Sequence, residues 1–282
     1  MAKLKLYMLE WLRTILNLLR SRIGTGQVAV YWYDRGVNFG DLITPYLFKK
    51  YGLNPLWVKP AFANVLSTGS ILEHVKTPYS GLVWGSGFID DEIPLPMFES
   101  ANVQAVRGKL TLKKLGASGS TVVLGDPGLL CSQFVSLPKV KKWKVGVVPH
   151  FVDAESEVIE NLKNKHGGQL CVVDVMRAPE LVWNDLANCE VILSSSLHGL
   201  VCSDSLEIPT CWITLSDNVV GAGYKFRDYY SAFDEIVETQ LLTGEESLEQ
   251  LIALTCKRDI MRLNTIKSGL DAIFKQAEGV FS

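Results

Sequence analysis

From Gln27 onward, short runs of β-branched and aromatic residues alternate with segments of helical length, and this alternation restricts the chain to α/β architecture. The runs VAVYWY (28 to 33), VLSTGSIL (65 to 72), GLVWGSGF (81 to 88), VQAVRG (103 to 108) and TVVLGDPGLL (121 to 130) read as strands of a first half. Among them stand the helices DLITPYLFKKYG, which opens on Asp41 and stops at Gly52 with ordinary cap residues, and KLTLKKLG. A second half restarts with the strands KVGVVPHF (144 to 151), LCVVDV (170 to 175), VILSSS (191 to 196) and TCWIT (210 to 214). Helices ESEVIENLKNKHG, PELVWNDLANC and LHGLVCSDSLE separate them, so right-handed parallel crossovers should organise the sheet. The polar segment SLPKVKKW (136 to 143), with one proline and three lysines, reads as the link between halves. The expected organisation is an amphipathic helix over 1–23, Rossmann-like domains over 24–140 and 141–240, and a helical segment over 241–282.

A chain of 282 residues that is 48% hydrophobic can bury a core in each half. Its 28 basic and 30 acidic side chains leave a net charge of -2, which removes the field a nucleic-acid binder uses, so nucleic acid is not an expected partner. The six cysteines avoid C-x-x-C spacing and mostly sit in apolar runs. They read as reduced and buried thiols of a cytoplasmic protein, with no thiolate metal site.

Residues 1–23 carry Lys3, Lys5, Arg13, Arg20 and Arg22 against the single acid Glu10. At helical spacing Leu4, Met8, Trp11, Leu12, Ile15, Leu18 and Leu19 share one face, while Glu10, Arg13, Asn17 and Arg20 share the other. No uncharged stretch approaches the roughly 20 residues of a membrane span. Two readings stand: a helix packed on the protein's own core, or one lying in an anionic membrane surface on the cytoplasmic side.

Chemistry in open α/β sheets gathers beyond the carboxyl ends of strands, where turns lead into helix N-termini. The chain offers N-F-G-D (Asn38 to Asp41), S-T-G-S (Ser67 to Ser70), W-G-S-G (Trp84 to Gly87), V-R-G (Val106 to Gly108), G-D-P-G (Gly125 to Gly128), P-H-F-V-D (Pro149 to Asp153) and S-S-S-L-H-G (Ser194 to Gly199). None is a G-x-G-x-x-G or Walker sequence, which removes support for ordinary dinucleotide or ATP binding. His198 is the side chain best suited to exchange a proton near neutral pH, although a lone histidine is more often a structural hydrogen bonder. Asp41 suits an N-cap as well as a hydroxyl, His150 a helix start as well as a ligand, and Asp126 reads as structural.

The order of N-F-G-D, V-R-G before a helix ending in L-G, G-D-P-G-L-L, V-V-P-H and S-S-S-L-H-G before Ile208-Pro209 resembles the polysaccharide pyruvyl transferase family. The resemblance covers about residues 28 to 235. It implies two Rossmann-like domains in a GT-B-like arrangement and transfer of pyruvate from phosphoenolpyruvate, a substrate and not a cofactor, to a sugar as a ketal. The acceptor would be a glycan intermediate, including a lipid-linked one. The resemblance further implies catalytic roles for His198 and Asp41, with Arg107, Gly108, Asn38, His150, Ser195 and Ser196 binding substrate. Many members carry R-L-H-G where this chain has Ser196 before Leu197, so one cation of the donor clamp is missing. Lys225 and Arg227 in G-Y-K-F-R-D-Y-Y are the expected replacements, and Arg107→Ala is expected to weaken donor binding with the fold intact. A nucleotide-sugar glycosyltransferase of the same fold and a non-catalytic assembly protein remain open as alternatives.

Overall fold

Two parallel sheets carry the fold in the computed structural model, which describes residues 2–91, 98, 103–116 and 121–281. The first sheet comprises β1 (Gln27–Tyr31), β2 (Asn54–Trp57), β3 (Val65–Leu66), β4 (Leu82–Trp84), β5 (Val103–Val106) and β6 (Val123–Leu124) in the order β2-β1-β3-β4-β5-β6. The second comprises β7 (Trp143–Val148), β8 (Leu170–Val172), β9 (Cys189–Ser194), β10 (Thr210–Thr214) and β11 (Gln240–Leu241) in the order β8-β7-β9-β10-β11. Counted from its own first strand, each sheet therefore begins 2-1-3-4-5. This is the flavodoxin-like doubly wound order, not the 3-2-1-4-5-6 order of a dinucleotide-binding Rossmann fold. Its direction reverses between β1 and β3 in one sheet and between β7 and β9 in the other.

Several strands are shorter than their apolar runs. The run from Val65 to Leu72 keeps strand geometry only at Val65 and Leu66, because Gly69 turns into positive φ (104°) and a 3-10 turn follows at Leu72–His74. The helices are α1 (Ala2–Ile23), α2 (Phe39–Lys50), α3 (Lys109–Lys114), α4 (Glu157–His166), α5 (Pro179–Ala187), α6 (Leu197–Ser205), α7 (Tyr224–Ser231), α8 (Leu248–Ala253) and α9 (Ile260–Phe281). The last stretch thus splits in two, with α8 opened by a capping box between Ser247 and Gln250. After it, α9 returns to the first sheet: Trp84 Nε1 donates to the Leu270 carbonyl at 3.0 Å, and Phe274 packs on Trp84 and Phe48. Five cysteines are buried as expected, but Cys256 is exposed, although its backbone pairs with Thr210 of β10.

The halves are tied where groups of one cap helices of the other. Asp228 of α7 accepts from the Thr111 amide at 2.9 Å and the Thr111 hydroxyl at 2.7 Å, supplying the N-terminal cap that Gly108 cannot give α3. Ser231 accepts from the Lys109 amide at 2.8 Å, and the Phe39 amide at the start of α2 donates to the Val175 carbonyl, also at 2.8 Å.

Helix α1 packs through the border between its two faces and leaves most of the leucine face outward. Its inward face is Glu10, Trp11, Thr14, Asn17 and Leu18, and Asn17 donates to the Trp57 carbonyl at 2.7 Å while Thr14 accepts from the Lys59 amide at 3.2 Å. These bonds occupy backbone groups on and just beyond β2, the open edge of the first sheet. Leu4, Met8, Leu12, Ile15 and Leu19 face solvent, each more than half exposed. Among the described residues no helix is long and apolar enough to cross a membrane.

Candidate functional site

At each reversal of strand order the loops beyond two neighbouring strands diverge and leave a crevice. Here the two crevices contribute to one cleft of about 420 Å³. From the first sheet come Tyr33, Asn38 and Asp41 after β1, and Ser70 and Glu73 after β3; from the second come His150 after β7, and Ser196 and His198 after β9. Lys225 of α7 closes it.

Two helix N-termini meet there. Asn38 caps α2, its Oδ1 accepting from the Gly40 amide at 2.9 Å. Ser196 stands at the N-cap of α6 but makes no side-chain cap bond; the Gly199 amide donates to the Ser196 carbonyl at 3.1 Å, so an anion at this end would be met by the amides of Leu197 and His198. The turn before it is fixed from behind, because Ser194 Oγ accepts from the Ser196 amide at 3.0 Å and Ser195 Oγ accepts from the His150 amide at 2.8 Å.

His198 is held on three sides. A methyl group on Gly40 would overlap its Nδ1, Phe39 meets it edge-on with ring centroids 6.4 Å apart, and its Nε2 faces Asp126 Oδ2 at 3.6 Å. That separation is too long for a hydrogen bond, and both atoms are buried without another partner. The other oxygen of Asp126 accepts from the Gly128 amide at 2.8 Å, so the carboxylate is fixed in place and is aimed at the imidazole.

Burial sets the protonation of the remaining groups. It pushes Asp41 up to about 6 against the opposing charges of His198 and Lys225, and pushes Glu73 up to about 7. Lys225 is lowered to about 8 by burial and by the charge of Arg107, and His150 to about 4 by burial and by Lys225. At neutral pH His150 is thus an uncharged imidazole, while the two carboxyls and the ammonium titrate close to pH 7, as groups in working clefts do.

Of the residues singled out in the sequence, Asn38, Asp41, His150, Ser196, His198 and Lys225 line the cleft. Arg107 does not. It is fully buried behind the cleft, donating Nε to Asp228 at 2.9 Å, one terminal nitrogen to Ser70 Oγ at 2.7 Å and the other to the Phe88 carbonyl. Gly108 is required because a Cβ would overlap the Asp228 carbonyl, a close approach of backbones and not a ligand contact. Arg227 and Ser195 line a neighbouring cavity beside Trp212. Ser70 ends the S-T-G-S turn, but Glu73, just past the VLSTGSIL run, was not singled out; its signal is Gly69, a turn residue that ends the strand and delivers the residues after it to the cleft.

The cleft of this doubly wound α/β protein thus brings a buried ammonium, carboxyls, imidazoles and a helix N-terminus together between two switch points. The sequence carries the comparison further. Residues 41–217 match the model of the polysaccharide pyruvyl transferase family, and the chain belongs to that family, which gives it a transferase role. It is 25% identical over 223 residues to the uncharacterized protein L143 of Acanthamoeba polyphaga mimivirus, covering 73% of this chain and 75% of that one. It is 24% identical over 209 residues to the succinoglycan biosynthesis protein ExoV of Rhizobium meliloti, covering 71% of this chain and 62% of that one. A crystal structure of a functionally uncharacterized protein from Klebsiella pneumoniae superposes with a TM-score of 0.39 at 16% identity, over 81% of this chain and 97% of the other.

Proposed function

We propose that the protein transfers pyruvate from phosphoenolpyruvate to two hydroxyls of one sugar in a cell-surface or exopolysaccharide glycan, closing a cyclic ketal. The observation that carries this reading is the meeting of a helix N-terminus, buried Lys225 and the aligned His198–Asp126 pair in one cleft shared by both sheets. Family membership and the succinoglycan relative support it.

The donor is an enol phosphate with a carboxylate. Its anionic groups would rest on the first-turn amides of α6, on Ser196 and on Lys225, which supplies the positive charge that Ser196 lacks. Protonation of the methylene carbon by His198 makes the adjacent carbon electrophilic. One acceptor hydroxyl adds there, the carbon–oxygen bond to phosphate breaks, and the second hydroxyl closes the ring. The two hydroxyl protons leave to Glu73 and to the departing phosphate, with Asp41 orienting the acceptor. Ser70, held by Arg107, completes the wall opposite α6.

The test is incubation with phosphoenolpyruvate and isolated glycan intermediates, following inorganic phosphate and the mass of the glycan. Phosphate release that requires both substrates, with a pyruvyl ketal on the product, is the expected result. Consumption of a nucleotide sugar instead would make the protein a glycosyltransferase, and inertness toward both would make it an assembly protein.

The same cleft predicts a bell-shaped pH profile. Asp41 and Glu73 must lose their protons, so kcat/KM rises as pH passes through about 6 to 7, while Lys225 and the proton donor His198 must both keep theirs, so it falls on the alkaline side. Phosphoenolpyruvate binding needs the charge of Lys225 but no proton transfer, so donor affinity should fall above about pH 8 in the wild-type protein and persist in Lys225→Arg, because a guanidinium does not titrate in that range. A donor affinity that falls at the same pH in Lys225→Arg would remove the lysine from this role.

The outward leucine face of α1 and its cations support attachment of the protein to an anionic membrane surface from the cytoplasmic side. Leu12, Ile15 and Leu19 make no use of their exposure in the fold, so the triple change to serine should leave folding unaffected. It should cut co-sedimentation with phosphatidylserine vesicles by about tenfold or more, since each lost apolar side chain forgoes roughly 1.5 to 3 kcal/mol of burial. Equal sedimentation of the two proteins would show that the face meets something other than lipid.

A further inference from the structure

Between α1 and the first sheet lies a second cavity, of about 470 Å³, within the usual range of roughly 300 to 1,000 Å³ for small-ligand sites. Its walls are aromatic. Trp11 of α1 meets Phe62 edge-on at 5.4 Å, Tyr31 and Trp57 lie against one another at 6.0 Å, and Tyr33 stacks on His74 at 5.9 Å and 22°. Its polar groups are held in a fixed array. Lys59 lies over the faces of Tyr7 and Trp11 while donating to Glu10 at 2.9 Å, and Arg35 donates to the other oxygen of Glu10 at 3.2 Å.

Tyr33 and His74 line both this cavity and the cleft described above, so the two are contiguous around one stacked pair. Aromatic faces beside fixed carboxylates and cations suit a ligand with apolar C–H faces and a rim of hydroxyls. That is the chemistry of a pyranose ring: its axial hydrogens stack on the indole and phenol faces, and its hydroxyls bond to the charged rim.

We infer that this groove binds the acceptor glycan, holding the sugar units next to the one modified and feeding the reacting sugar past Tyr33 and His74 into the cleft. The inference rests on the transferase reading for the reason the groove is occupied, but not for what it binds. The family match begins at residue 41, after α1 and β1, so Tyr7, Glu10, Trp11, Tyr31 and Tyr33 lie outside it. Acceptor choice is therefore set largely by a part of this chain that the family match does not cover.

Saturation-transfer NMR tests the groove without turnover, using the methyl glycosides of gluco-, galacto- and manno-configured disaccharides as probes. Two variants address it from opposite sides: Phe62→Ala removes a half-exposed wall, and Thr77→Tyr adds bulk at an exposed position on the rim. At least one of the probes should receive saturation in the wild-type protein, and both variants should weaken its binding about fivefold or more while phosphoenolpyruvate affinity stays within about twofold. Sugar binding unchanged in both variants, or no binding of any probe, overturns the groove even if phosphate release proceeds. Sugar binding lost in the variants of a protein that releases no phosphate keeps the groove and overturns the transferase reading. Repeating the measurement with the bound glycoside carried on a lipid in vesicles separates a free from a membrane-borne acceptor.

Discussion

His198→Gln should lower phosphate release from phosphoenolpyruvate by on the order of 100- to 10,000-fold, the usual contribution of a positioned proton donor, and leave thermal unfolding nearly unchanged. Glutamine fills much of the imidazole volume against Gly40 and Phe39 but cannot carry the proton. Asp126→Asn should act through the histidine: the amide keeps the bond from Gly128 but removes the charge facing Nε2 at 3.6 Å. A loss of about 10- to 100-fold with a displaced pH profile marks such a positioning role, as it does for partners of ligating histidines. Near-normal turnover in His198→Gln would transfer the proton donor's part to another group of the cleft, Glu73 first.

Arg107→Met should destabilise the protein by about 3 to 5 kcal/mol, a large share of the roughly 5 to 15 kcal/mol that holds a folded domain together. The arginine and Asp228 are both fully buried, so removing one leaves the other's charge without its main partner. At roughly 2 to 4 °C per kcal/mol for a chain of this size, the unfolding midpoint should fall by about 10 °C. The expectation that Arg107→Ala leaves the fold intact is thereby revised. Replacing Arg107 and Asp228 together by apolar residues should recover only part of the loss, because Asp228 also caps α3 through Thr111. An unchanged denaturation midpoint in Arg107→Met would mean that the buried network contributes nothing to stability.

The alternation of β-branched runs with helical segments was enough to read two parallel α/β halves, since local periodicity reports element type directly. Strand order was not readable, because it depends on contacts between runs far apart in the chain. That gap explains which site residues were placed well. His198, Ser196 and His150 follow β9 and β7, and Asn38 and Asp41 follow β1, the strands that flank the reversals. Arg107 and Gly108 also sit at a strand-to-helix junction, but they follow β5, away from the reversal, where the junction is filled by Asp228 and not by ligand. Spacing along a helix likewise gave two faces for α1 without saying which one docks. The backbone groups at the edge of β2 decide it, since Asn17 and Thr14 can satisfy them and leucine cannot.

The return of α9 to the first sheet has a consequence for how the chain comes apart. The main chain passes from the first sheet to the second between β6 and β7 and comes back after α8, and the N-terminal cap of α3 is donated from α7 in between. A protease that cuts the exposed stretch around Val140 would therefore release neither half. The nicked fragments would stay clasped by Trp84, Phe48 and Phe274 on one side and by Asp228 on the other, and would part only when the packing at both clasps melts.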